Sequence, residues 1–171
     1  MASETDVFIN GRHAIYKDSG AQLITADDVC LTPNGSGSDV PVTYTSVATS
    51  SDADSCASET LIAGKPVCNT DSIFSQSTGA EAGTSGGVVS GEVGEKAEFV
   101  SGSPDVTIEG QSAVRDGDLM TNNAGNTAPT QVSQPGSPPA PANIQDLAAE
   151  ALEDENRPYR FVVGFVKQES S

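Results

Sequence analysis

Short runs of alternating apolar and polar residues recur along most of the chain, each ended by a glycine or a knot of polar residues. Three of these runs share one layout when aligned on Gly11, Gly64 and Gly110. Before each glycine lies a strand-like stretch: residues 7–10, 60–63 and 106–109. Directly after it comes a long polar side chain, Arg12, Lys65 or Gln111. Four positions after it stands a buried-type residue, Ile15, Cys68 or Val114. Polar knots follow at Asp18-Ser19, Asp71-Ser72 and Gly117-Asp118. Period-two alternation about a tight turn predicts a β-hairpin of about ten residues with one buried face. Asn10-Gly11 suits a two-residue turn with positive φ. Ala63-Gly64 and Glu109-Gly110 are weaker hairpin dipeptides, but each keeps the glycine, which meets that backbone without a Cβ penalty.

The turn glycines stand 53 and then 46 residues apart, separated by loops such as NGSGSD, SSDADS and SQSTGAEAGTSGG. A glycine-rich β protein produces glycine hairpins by chance, yet agreement at several offsets argues for a true internal repeat. Three equivalent hairpins in one chain imply pseudo-threefold symmetry. The end of a homotrimeric β-structure presents three identical sets of unpaired strand edges, which one such chain can cover together.

The pattern changes near the C-terminus. Residues 128–142 are Pro-rich and aperiodic, as in a semi-extended linker. Residues 143–171 predict a short helix that starts at Asn143 and carries Ile144, Leu147, Ala148 and Leu152 on one stripe, followed by a strand over 159–166. So small an extension cannot form an enzyme by itself. Residues 1–127 therefore hold the main domain.

Composition agrees with many short strands and a thin core: 36% hydrophobic, 5% aromatic, no Trp, 17 Gly and 10 Pro. The 24 acidic residues against 8 Lys and Arg leave a net charge of −16. Such a field repels phosphate backbones and anionic lipid, which excludes nucleic acid as a partner. An acidic, lysine-poor surface serves solubility and also suits a high-salt habitat. No basic segment leads into an apolar run, so no Sec-type signal is expected, and synthesis and assembly are expected in the cytoplasm. Nothing approaches the ~20 apolar residues of a membrane span. Cys30, Cys56 and Cys68 are odd in number and lack C-x-x-C spacing, so reduced thiols are expected.

Enzymatic motifs do not fit. GTSGG, residues 83–87, matches G-x-S-x-G and would make Ser85 a nucleophile. That elbow requires a buried strand before the serine and a helix after it, whereas QSTGAEA precedes it here. The stretch reads as a flexible loop. The Asp and Glu residues are scattered, and no phosphate-binding loop is present. No enzymatic activity is expected.

The segments VFINGR, DVCLTPNG, PVTYTSVATSSD, STGAEAGTSGGVVSG, KAEFVSGSPDVTIEGQSAVRDGD and MTNNAGNT resemble the PAAR-like family, in order, from about Asp6 to Thr127. The family is similar to the PAAR-repeat proteins that sharpen the spikes of type VI secretion systems and related contractile machines. The resemblance implies a mainly β fold, a small pseudo-threefold cone of short hairpins seated on a trimeric β-helical spike, one tip per trimer. It implies piercing of a target envelope on firing, and effector or cargo attachment through the C-terminal extension. It also implies one structural metal ion, zinc or iron, for which His13 and Cys30 are the candidate ligands. Two ligands are few for zinc, which takes four. The plainer reading makes His13 a strand residue and Cys30 and Cys68 small buried residues. The alternative function is a free β-rich module that binds a surface glycan or a delivered partner.

Overall fold

The computed structural model describes residues 7–134. The expected helix and strand over 143–171, and the expected linker beyond residue 134, therefore lie outside the described residues, whereas residues 128–134 carry a strand at Thr130–Gln131 and the buried Val132. What is described is mainly β. Three hairpins have strands of two residues each: β1 (Phe8–Ile9) with β2 (Arg12–His13), β6 (Leu61–Ile62) with β7 (Lys65–Pro66), and β10 (Thr107–Ile108) with β11 (Gln111–Ser112). Between the first two hairpins lies a long hairpin, β3 (Gln22–Pro33) with β4 (Asp39–Thr49). The remaining strands, β5 (Ala53–Asp54), β8 (Ile73–Phe74), β9 (Ala97–Phe99), β12 (Leu119–Thr121) and β13 (Thr130–Gln131), form an antiparallel sheet in the order β13-β12-β9-β8-β5.

The predicted turns form as expected. Both central residues of each have positive φ: Asn10 at 50° and Gly11 at 78°, Ala63 at 50° and Gly64 at 76°, Glu109 at 52° and Gly110 at 87°. This is the two-residue turn whose twist matches that of the flanking strands. A Cβ on Gly64 or Gly110 would meet nothing within 4 Å, so the backbone angle, not space, requires glycine there.

A two-residue ladder cannot hold a hairpin by itself. The three units are instead tied into a closed ring. Tyr16 bridges Val67, Asn69 bridges Ala113, and Arg115 bridges Ala14, so position five after one turn glycine pairs with position three after the next. The same rule governs Lys17 N donating to the Pro66 carbonyl (2.9 Å), Thr70 N to that of Ser112 (2.9 Å) and Asp116 N to that of His13 (2.8 Å). Pseudo-threefold symmetry is thus written in the backbone hydrogen bonds themselves.

At the centre of the ring Ile15, Cys68 and Val114 are fully buried. They join Leu23, Ala48, Phe74, Phe99, Met120 and Val132 in one core between the ring and the sheet, where Phe74 and Phe99 meet edge to face at 5.7 Å. A second cluster comprises Ile9, Ile62 and Ile108, one from each hairpin, with Ala14, Val67 and Ala113. The sequence analysis did not identify the long hairpin. Its alternation is interrupted by a bulge between Thr25 and Asp28. Leu23 and Thr25 face inward before the bulge, and Asp28 and Cys30 after it, so the extra residue switches the parity of the strand.

The ring makes hairpin 1 indispensable to hairpins 2 and 3. A chain starting at residue 21 is expected to lose cooperative unfolding in calorimetry, although every residue of the other two hairpins is retained. An unchanged transition would show that the ring does not hold the fold.

Candidate functional site

The ring is also where most of the singled-out residues gather. Gly11, Gly64 and Gly110 mark its three turns. The long polar residue after each glycine, noticed as a repeat feature, has a structural task in two of the three. Arg12 donates to Asp118 Oδ1 (2.8 Å) and to the Asp116 carbonyl (3.1 Å), in the knot of hairpin 3. Lys65 donates to Asp18 Oδ2 (2.7 Å), in the knot of hairpin 1. This bond holds the Asp18 carboxyl below its ordinary range. Asp118 is also gripped by the buried Arg115 through Nε (3.0 Å), Nη2 (3.0 Å) and the backbone N (2.8 Å). Two guanidinium groups thus share one buried carboxylate, a charge-assisted arrangement stronger than neutral hydrogen bonds.

In two of the three units the residue before the turn glycine, Asn10 or Glu109, works in the same sense around the ring. The Asn10 carboxamide donates to Asp105 Oδ1 (2.8 Å), and its oxygen accepts from Ser103 Oγ (2.7 Å) and Arg115 Nη1 (2.6 Å), ahead of and within hairpin 3. The Glu109 carboxylate accepts from the backbone N of Ser58 (2.9 Å), Glu59 (2.8 Å) and Thr60 (3.1 Å), ahead of hairpin 2. Those amides, Ser58 first, lower its pKa from 4.5 to about 2. Three backbone donors on one carboxylate explain a glutamate in left-handed conformation.

His13 and Cys30 occupy different parts of the fold. His13 is buried in β2 of the ring, with its ring 4.2 Å from that of Phe8. Cys30 is buried in β3 beside Asp28, which is itself fully buried. Asp28 Oδ1 accepts from Asn126 Nδ2 (2.6 Å), Asn123 Nδ2 (3.1 Å) and the Cys30 thiol (3.6 Å), and Ser46 Oγ donates to its Oδ2. The two asparagines come from a short left-handed turn, with Asn123 at φ 48°, Ala124 at 54° and Gly125 at 82°. The same amide groups contact the Cys30 sulfur (3.7 and 3.9 Å). Burial first, then the Asp28 charge, pushes the Cys30 thiol up to about 11.

This donor set does not fit a zinc or iron ion bound by His13 and Cys30. A metal needs the thiolate, whereas this thiol donates to a carboxylate and is ringed by amide donors. Among the described residues, no group of three or more His, Cys, Asp or Glu side chains is placed to hold a metal. The segment around Asn122 and Asn123 closes on Asp28 by hydrogen bonds instead. Sequence reasoning missed Asp28, Asn123 and Asn126; the run MTNNAGNT, polar yet buried at three asparagines, carried the only signal.

Ser85 is in no elbow. Its backbone N donates to the Leu31 carbonyl (3.1 Å), and the loop is pinned to the long hairpin through a bridge between Gly87 and Cys30. The expected flexibility gives way to close packing. A Cβ on Gly87 would fall 2.5 Å from the Asn126 carboxamide, so glycine here serves a close approach.

Comparison with known families matches residues 21–129 to the family described as the toxin PAAR-like domain. The match covers more than half of the chain, and the chain belongs to this family. It begins after hairpin 1, which the ring nonetheless requires. No curated protein matches, and no solved structure matches.

Two measurements check these assignments. Glu109 has a depressed folded pKa, so its contribution is fully present above about pH 4.5 and is lost as pH falls toward about 2. The Glu109→Gln variant is expected to show a flatter loss of denaturation midpoint across that window, and a slope equal to wild type would refute the clamp. Asp28→Ala strands several buried donors and is expected to cost roughly 2–4 kcal/mol in denaturant unfolding. In the same assay a strong chelator is expected to leave the wild-type midpoint unchanged.

Proposed function

We propose that this chain is the tip of a contractile injection machine, seated on the end of a trimeric β-helical spike with one tip to three spike chains. The closed ring carries this reading. Three hairpins in one chain repeat the same backbone hydrogen bonds about one axis, and so offer three near-equal faces to a threefold partner. Membership of the toxin PAAR-like family supports the same role. The exposed turns at Asn10, Ala63-Gly64 and Glu109-Gly110 and the exposed Leu61 on β6 leave surface available for such a partner.

The role is mechanical rather than catalytic. Arg12, Lys65, Asp18 and Asp118 are engaged in holding hairpin to hairpin, and Ser85 lies in a loop bonded to β3. The tip is assembled in the cytoplasm and carried outward, into the target envelope, by the machine that it caps. Effector or cargo attachment falls to residues 143–171.

Native mass spectrometry of the full chain mixed with a trimeric β-helical spike protein of a contractile injection machine tests the reading. The expected complex holds one tip and three spike chains. One tip on every spike chain, or no association together with affinity for a glycan, overturns it in favour of a free binding module.

A further inference from the structure

Cys56 and Cys68 are absorbed neither by the ring hydrogen bonds nor by the spike reading. Their sulfurs lie 3.5 Å apart, and neither is in a disulfide. The chain reverses at Ser55, whose φ is 53°, and this turns Cys56 toward the ring. Next to the pair, Ala57 N donates to the Val67 carbonyl (2.9 Å), which holds the two segments against each other. Two sulfurs at 3.5 Å need only a small approach to reach the ~2.05 Å of a disulfide bond. Cys68 is fully buried at the centre of the ring, with Ile15 and Val114, whereas Cys56 is half-buried and open to a small reagent.

We propose that Cys56 and Cys68 form a redox-controlled disulfide that covalently fastens the segment ahead of hairpin 2 to the centre of the ring. The two thiols play unequal parts. A hydrogen bond from Cys68 lowers the Cys56 pKa to about 7, against an ordinary 9.0, so Cys56 supplies a thiolate near neutral pH. The Cys68 thiol is shifted upward by that same bond and by burial.

The reaction uses a low-molecular-weight disulfide as oxidant. The Cys56 thiolate attacks one of its sulfurs, forms a mixed disulfide and expels a small thiolate. Cys68 then gives up its proton to that thiolate and attacks the Cys56 sulfur, expelling the second small thiolate, which takes up the proton that Cys56 released to solvent. Two protein thiols and one small disulfide become one protein disulfide and two small thiols. The expectation of three reduced cysteines holds in a reducing compartment; an oxidising one converts two of them. Cys30 stays outside the exchange because it is buried against Asp28 with a raised pKa. None of this depends on the spike-tip reading.

The test is incubation of the full chain with oxidised glutathione at neutral pH, followed by thiol blocking, intact mass measurement and peptide mapping. A product about 2 Da lighter, with one free thiol and a peptide joining Cys56 to Cys68, is expected. Closing a short loop should also raise Tm by roughly 5–10 °C over the reduced form. Cys56→Ser should abolish both changes, and this half-buried site tolerates the substitution. A glutathione adduct that persists on Cys56, three free thiols after prolonged oxidation, or an oxidised form that melts no higher would each overturn the proposal.

Discussion

Closure of the three hairpins into a ring is the interaction on which the rest of this structure depends. Each hairpin has only two residues in each strand, too few to persist by themselves in water. Each presents polar backbone on both flanks, and only another hairpin in the same orientation can take it up. Three such units close because the trailing edge of one meets the leading edge of the next: Tyr16 with Val67, Asn69 with Ala113, Arg115 with Ala14. Closure pairs the flank of each hairpin with the next and so reduces the free edge, which is how β-structures escape unwanted pairing. It also places Ile15, Cys68 and Val114 together as the lid of the larger core.

The acidic character acquires a second meaning in this setting. Asp18, Glu109 and Asp118 each receive a donor from a neighbouring unit of the ring, and Glu109 binds three consecutive backbone amides. Part of the negative charge is therefore structural, holding unit to unit, while the remainder covers the surface. Asp28 belongs to neither group. It is buried and held by carboxamides, a hydroxyl and a thiol, so several weak donors do what one strong cation would otherwise do. The left-handed turn at residues 123–125 is strained backbone whose cost is offset by the amides that it delivers to that carboxylate.

The turns were legible because their cause is local. Positive φ at two successive positions favours Asn and Gly, and period-two alternation shows which side chains are buried, so Gly11, Gly64, Gly110 and the apolar position four residues later stood out. The partner of each long polar side chain was not legible. Arg12 and Asp118 are more than one hundred residues apart in sequence, and only the ring makes them neighbours. His13 and Cys30, candidate ligands by resemblance, belong to different elements, β2 of the ring and β3 of the long hairpin, and no local pattern tells how those two elements are placed. The bulge at Thr25–Asp28 also hid the longest hairpin, because it breaks the alternation by which a strand is recognised.

The amino-acid sequence alone determined that there would be three hairpins, where they turn, which residue of each points to the centre, and to which family the chain bears resemblance. These follow from backbone torsions and alternation, which act over a few residues. Only the tertiary structure decided that the hairpins close on one another, that two asparagines, a hydroxyl and a thiol gather on the buried carboxylate of Asp28, and that Cys56 meets Cys68. Those depend on which distant segments come to share one axis. Ring closure sets that, and no local pattern encodes it.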